Sequence, residues 1–290
     1  MTSYRTVEVD GNEIFYREAG PPSAQTVLLL HGFPSSSTQY ETLMGHLAGS
    51  FHSVAPDYPG FGQSRPLAGA TTFDALARVI DEFTRAVGLT RFSMYMFDFG
   101  SPVGFRLASA DPGRIEALIL QNANAYEAGL GPNMRALEPY WADRAGNEDA
   151  IRRFLTREVT RSQYVDGVRD LSAVNPDLWE LDQRYLECAG RDEVMLDLLH
   201  DYKSNVALYP TWQQYMREQR PRALLPWGRN DPFFPVAGAE AYLEDLPDAQ
   251  IKLLDTGHFA TATHSAQIAA LMASFLHDAS DPTATMELTN

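Results

Sequence analysis

The chain has 290 residues, 44% of them hydrophobic, which is enough apolar material for one full core with or without a sub-domain. Its formal net charge is −15, from 38 acidic and 23 basic side chains with no Lys/Arg cluster, and this speaks against nucleic acid or an anionic membrane as partner. The single cysteine, Cys188, excludes an intrachain disulfide scaffold, and with no histidine near it in sequence it reads as a packed thiol.

YRTVEVDGNEIFYREAG alternates polar and apolar residues about Asp10-Gly11, which predicts an antiparallel hairpin rather than a signal or transit peptide. QTVLLLHG is a continuous apolar run, the pattern of a strand buried on both faces. QYETLMGHLAG has helical spacing, and FHSVAPDYPGFGQS begins as a strand and ends in a Gly/Pro-rich loop. TTFDALARVIDEFTRAVGL opens on a capping threonine and closes on a glycine, as an amphipathic helix does. RFSMYMF, GSPVGFRLASA and RIEALILQN continue as strand, helix and strand. From about Asn124 to Gln219 the chain changes character, into helical segments rich in Trp, Tyr and charge. The alternation returns with RALLPWGRND, VAGAEAYLEDL and AQIKLLDTGH, then a last helix from about Ser265 to Leu276.

This order predicts an α/β fold, a largely parallel sheet behind an N-terminal antiparallel hairpin. Residues 1–123 and 220–277 are expected to form one core, 124–219 a helical cap or lid, and 278–290 a frayed tail. No apolar run reaches the ~18 residues of a membrane span, so a soluble, cytoplasmic protein is expected.

The chemistry concentrates at strand ends. In MYMFDFGSPVGF a buried strand runs into Asp98 and then into a helix, and a carboxylate there is costly unless it is solvated or used. Taken alone, Asp98 would read as a helix N-cap. It is also the centre of a strand–turn–helix whose usual pattern is Gly-x-nucleophile-x-Gly. Gly100 supplies the second small residue, whereas Met96 stands where the first belongs. Asp231 follows a later strand and His258 the strand after that, giving the order nucleophile, acid, histidine. The gap between Asp98 and Asp231 holds a strand, the cap and another strand, and that between Asp231 and His258 one helix and one strand. Asn122 occupies the other position where such a sheet can keep an acid, but an amide stabilises imidazolium less well than Asp231 would. The Phe33 N–H, beyond the first buried parallel strand, is placed as an oxyanion donor. Ser64 and Ser101 lie outside the elbow position, and His46, His52, His200, His264 and His277 are scattered and read as surface residues. No metal-ligand spacing occurs.

HGFPSSS, DYPGFGQS, the Asp-centred elbow, WGRNDPFFP and DTGHFA resemble the capped α/β-hydrolase superfamily over roughly residues 5–277, most weakly in the cap. Within it they resemble the branch of epoxide hydrolases and haloalkane dehalogenases, whose nucleophile is aspartate. The resemblance implies an alkyl ester formed on Asp98 and hydrolysed by water that His258, oriented by Asp231, activates. The N–H groups of Phe33 and Phe99 would meet the oxyanion, and no cofactor is required. Epoxide opening needs an acid, in this family a pair of cap tyrosines; the candidates are Tyr209 and Tyr140, with Tyr126 and Tyr164 as substitutes. Halide release needs N–H donors, but the positions dehalogenases use are Phe33 and Phe99, which leaves Trp141, Trp179 or Trp212 from the cap. Fluoroacetate dehalogenases carry arginines just past the nucleophile, where Phe99 and Pro102 stand; Arg106 is two helical turns along, too far to replace them, and that reading is set aside. The reading is an epoxide hydrolase for an apolar or aromatic small-molecule substrate, with pocket walls that include Phe33, Phe99 and Trp141. Haloalkane dehalogenase, or a biosynthetic or ligand-binding protein on the same fold, is the alternative. A homodimer is expected from general frequency alone.

Overall fold

A computed structural model describes residues 1–278 of the chain. Asp10 and Gly11 both take positive φ (49° and 75°), the twist that closes a two-residue hairpin, and join β1 (Ser3–Val9) to β2 (Asn12–Ala19). There follow β3 (Thr26–Leu30), α1 (Glu41–Leu47), β4 (His52–Pro56), α2 (Phe73–Ala86), β5 (Phe92–Phe97), α3 (Gly100–Ala110) and β6 (Ile115–Gln121). Six helices come next: α4 (Pro132–Arg135), α5 (Glu138–Ala142), α6 (Arg144–Arg152), α7 (Arg157–Val165), α8 (Pro176–Leu186) and α9 (Arg191–Gln219). The sheet resumes with β7 (Arg222–Gly228), α10 (Val236–Asp245), β8 (Gln250–Leu254) and α11 (Ala260–His277). The eight strands lie in the order β1-β2-β4-β3-β5-β6-β7-β8. Contacts of β2 with β1 and β4 are antiparallel, and the pairings from β4 to β8 are parallel.

Strand alternation sorts the apolar side chains into two cores, one on each face of the sheet. Leu28, Leu30, Met94, Met96, Leu118 and Leu120 pack with α2, α3, α9 and α10. Val27, Leu29, Tyr95, Phe97, Ala117 and Ile119 pack with α1 and α11. The helical insertion between β6 and β7 is divided in the same way. Tyr140, Trp141 and most buried residues of α9 join the first core, whereas Tyr164, Val174 and Trp179 join the second.

Three expectations are corrected. The last helix starts at Ala260, not Ser265, because a turn at His264 (φ −123°) interrupts it without ending it. Cys188 is exposed on the insertion's surface rather than packed. His52 is buried, since as part of β4 it meets Glu18 on β2 (2.9 Å) and Thr26 on β3 (3.1 Å). Arg106, set aside in the sequence as too far along the helix, is indeed no ligand-facing cation: its guanidinium is spent on Asp74, Asn205 and Ser204, which ties α3 to α2 and α9. The tail expected from residue 278 lies, from residue 279 on, outside the described residues. Among the described residues no helix is long and apolar enough to cross a membrane.

Candidate active site

Asp98 directly follows β5, with φ at 49°. This left-handed turn is strained for most side chains and tolerated by aspartate, and it lifts the carboxyl out of the strand's line at the start of α3. Two glycines make the approach possible. A Cβ on Gly32 would sit 2.5 Å from the Asp98 Cβ and 2.7 Å from its Oδ1, and one on Gly100 would sit 2.1 Å from the Leu30 carbonyl oxygen. The bulk of Met96 is accommodated from the facing helix. Gly104 of α3 lies against it, and a Cβ there would come 2.2 Å from the Met96 sulfur. The small residue missing from the strand is supplied one turn into the helix.

Asp98 is 5% exposed, and the two oxygens of its carboxyl have different surroundings. Oδ1 accepts the Phe33 N–H at 2.6 Å. Oδ2 faces His258 Nε2 at 3.8 Å, beyond hydrogen-bond range. Burial raises the Asp98 pKa; the His258 charge and the N–H groups of Phe33 and Phe99 work against that rise. In its ionised form the carboxyl needs no base to remove a proton before attack, so the 3.8 Å gap suits it where a serine nucleophile would need contact.

His258 follows β8, and its Nδ1 meets Asp231 Oδ2 at 2.7 Å. Burial pulls its pKa down, but the adjacent Asp231 carboxylate and then Asp98 overcome that, and the net direction is up. The rings of Phe97, Phe233 and Phe234 surround the imidazole with centroids 4.7, 5.0 and 5.8 Å away. Asn122 is not the acid; it holds the acid. Its Nδ2 donates to Asp231 Oδ2 (2.8 Å) and to the Gly228 carbonyl (3.1 Å), while its Oδ1 accepts the Gly228 N–H (2.8 Å). The Phe233 N–H satisfies Asp231 Oδ1 at 2.7 Å. Gln121 Nε2 donates to the His258 carbonyl at 2.8 Å, fixing the backbone under the ring. The sequence signal for these two amides is their place at the end of β6, beside the strand that carries the acid.

The structure separates the candidate tyrosines. Tyr209 is buried, and its hydroxyl accepts from Asn124 Nδ2 at 3.0 Å. Its hydroxyl also pairs with that of Tyr202, two helical turns earlier on α9. Tyr202 was not singled out by sequence, yet its ring lies 6.2 Å from Phe99 and 6.0 Å from Phe73. Burial first, then Tyr209 and the Asp98 charge, push its pKa well up, so both phenols stay protonated. Tyr140 is placed elsewhere: its hydroxyl donates to the Leu196 carbonyl (3.1 Å), among Arg144, Glu148, Asp197 and Glu193. Tyr126 donates to Asp245 (2.6 Å) and Tyr164 to Asp182. Trp141 stacks behind Tyr202 at 5.9 Å and gives its indole N–H to the Leu199 carbonyl. Phe33 and Phe99 pack together at 5.5 Å beside Asp98. Trp212 stacks on Phe105 and Trp179 packs near Tyr164, in the opposite core. Among the described residues no group of three or more His, Cys, Asp or Glu is placed to hold a metal ion.

Residues 25–265 match the model of the alpha/beta hydrolase fold family. The chain belongs to that family. This α/β hydrolase is 41% identical over 266 residues to an uncharacterized hydrolase of Saccharomyces cerevisiae, covering 90% of this chain and 92% of the yeast protein. It is 34% identical to a haloalkane dehalogenase of Bradyrhizobium diazoefficiens over 114 residues, 39% of this chain and 37% of that one. Among solved structures, a mutant of DBJA superposes with TM-score 0.78 at 19% identity, over 95% of this chain and 99% of DBJA. Cfl2 of Burkholderia cenocepacia gives TM-score 0.78 at 20% identity, over 94% and 95%. At such identities these structures show a shared fold alone.

Proposed function

We propose that this hydrolase opens epoxides through a covalent ester on Asp98. The observation that carries the reading is the pairing of an Asp98 carboxyl, one oxygen on the Phe33 N–H, with the Tyr202–Tyr209 hydroxyl pair beyond Phe99. Asp98 Oδ2 attacks an epoxide carbon, the C–O bond breaks, and the alkoxide takes a proton from the tyrosine pair. Oδ1 is already in place as the ester's carbonyl oxygen.

Water then attacks the ester carbon while His258 Nε2 takes its proton. The oxyanion develops on Oδ1, against the N–H groups of Phe33 and Phe99. Collapse releases a diol and restores the Asp98 carboxylate, and the proton on His258 returns through solvent to the phenolate. The two steps are coupled through charge. Ionised Asp98 is one of the groups that raise His258, and esterification removes that charge, which frees the imidazole to act as base. Phe33 and Phe99 beside Asp98, with Phe73 packed on Phe99 and Trp141 behind Tyr202, favour an apolar or aromatic substrate.

Dehalogenation by the same ester is the second reading, favoured by the relatives named haloalkane dehalogenase. Against it, Phe33 and Phe99 offer no side-chain N–H, and the Trp141 indole is already bonded to backbone.

Intact mass of His258→Gln after separate exposure to an aryl epoxide and a bromoalkane distinguishes them. A stable adduct with the mass of the whole epoxide, on the peptide that holds Asp98, is the expected result. An adduct from the bromoalkane alone would replace the proposal with dehalogenation, and no adduct from either would reject the ester mechanism for both substrates.

A further inference from the structure

The helical insertion does more than cover the site. Just beyond α7, its backbone at Asp166 and Gly167 lies against Gly257, the residue before His258. A Cβ on Gly257 would sit 1.8 Å from the Asp166 carbonyl oxygen, so this contact is backbone on backbone. Gly167 has φ at +79°, and a Cβ there would meet Asn230 at 2.7 Å and the Gly257 Cα at 3.0 Å. The Gly167 carbonyl accepts from Asn230 Nδ2 (2.8 Å), next to Asp231, and the Asn230 N–H bonds the Thr256 carbonyl (3.1 Å).

The residue after His258 is held from the same segment. Phe259 stacks on Tyr164 with centroids 3.9 Å apart and planes 16° from parallel. The Tyr164 hydroxyl is in turn fixed by Asp182 of α8, which also accepts from Ser35 Oγ at 3.1 Å, in the loop that carries Phe33. Arg169 adds an exposed ion pair to Asp255 (2.6 Å), worth little by itself.

We infer that Tyr164–Arg169 of the insertion is a brace that positions His258, gripping the histidine loop through Gly257 on one side and Phe259 on the other. Gln121 holds the same loop from beneath, so the ring's place depends on the insertion as much as on the sheet. In this arrangement α7 and the turn after it pack on the α11 side of the core, with Tyr164, Val165 and Val168 in that cluster. The brace is a positioning device: it touches neither substrate nor reacting atoms, and its effect on turnover rests on the Asp98 ester reading above.

The test uses the 290-residue chain with ¹⁵N-labelled histidine and three variants: Gly167→Ala, Tyr164→Leu and Tyr164→Phe. In the wild type, the Nδ1–H proton of His258 on Asp231 is expected as a far-downfield resonance with one tautomer. Gly167→Ala and Tyr164→Leu should weaken or erase it, whereas Tyr164→Phe, which keeps the ring on Phe259, should retain it. In single-turnover kinetics with an epoxide, the first two variants should slow ester hydrolysis by about tenfold or more while ester formation stays within about twofold. Should Gly167→Ala fail to fold, Tyr164→Leu against Tyr164→Phe carries the comparison. An unchanged His258 resonance in folded Tyr164→Leu, with ester hydrolysis within about twofold of wild type, would overturn the brace. The resonance needs no substrate, so failure of wild type to form any ester would reject the epoxide reading and still leave the brace decided.

Discussion

Met96 at the elbow and Gly104 on α3 form a complementary pair, and their coupling has a size. Alanine in place of glycine inside a helix favours folding by about 0.5–1 kcal/mol. At position 104, however, the new Cβ would lie 2.2 Å from the Met96 sulfur, 2.9 Å from its Cγ and 3.2 Å from Leu30 Cδ1, all fully buried. Overpacking of this kind costs about 1–3 kcal/mol, so Gly104→Ala is expected to destabilise by about 1–2 kcal/mol net. Met96→Ala removes a buried side chain and should cost about 2–5 kcal/mol. In the double variant the methyl at 104 enters the space Met96 leaves, and the overpacking against Met96 vanishes. The double variant should therefore be more stable than the sum of the singles predicts by about 2 kcal/mol. Urea unfolding of the four proteins, with midpoints compared at a common m-value, measures this directly. Additivity to within about 0.5 kcal/mol would refute the idea that Gly104 makes room for Met96.

Tyr202→Phe should slow epoxide opening by about 10- to 100-fold in single-turnover kinetics, with Tyr209 supplying the remainder. Tyr140→Phe should leave opening within about twofold and cost about 1 kcal/mol of stability, because its hydroxyl serves the Leu196 carbonyl; equal kinetic losses would refute the assignment. Burial pushes Asp182 up to about 7, against hydrogen bonds from Tyr164 and Ser35 and with help from the Asp57 charge. The folded state thus keeps a proton that the unfolded chain releases, and this group's contribution to stability falls as pH rises from about 4 to about 7. Asp182→Asn removes the titration, so its melting temperature relative to wild type should climb across that window, equivalent to roughly 2–4 kcal/mol. A difference that stays flat with pH would show that Asp182 titrates alike in both states.

Much of the fold is written locally in the chain. The strand runs, the Asp10-Gly11 turn and the capping Thr72 depend on neighbours a few residues away, and the two-residue alternation in LILQ or MYMF already encodes two cores on opposite faces. Chain order also placed Asp98, Asp231 and His258 just beyond the ends of β5, β7 and β8, which run parallel in one sheet. What sequence left open lies where several residues of one type compete for one place. The insertion offers Tyr126, Tyr140, Tyr164, Tyr202 and Tyr209, all buried. Helical spacing alone does not say which face of which helix looks toward Asp98. Packing of α9 on α2 and α3 turns Tyr202 and Tyr209 that way and sends Tyr140 to the Leu196 carbonyl. Likewise, Met96 departs from the elbow pattern until Gly104 is seen across from it, and Asn122 resembles a misplaced acid until its amide is found on Asp231. The sequence by itself determined the order of elements and which side chains stand at strand ends, because those follow from local periodicity and connectivity. Only the tertiary structure decided which distant residues compensate, orient and brace them, because those contacts join segments scores of residues apart and depend on how whole helices settle on the sheet.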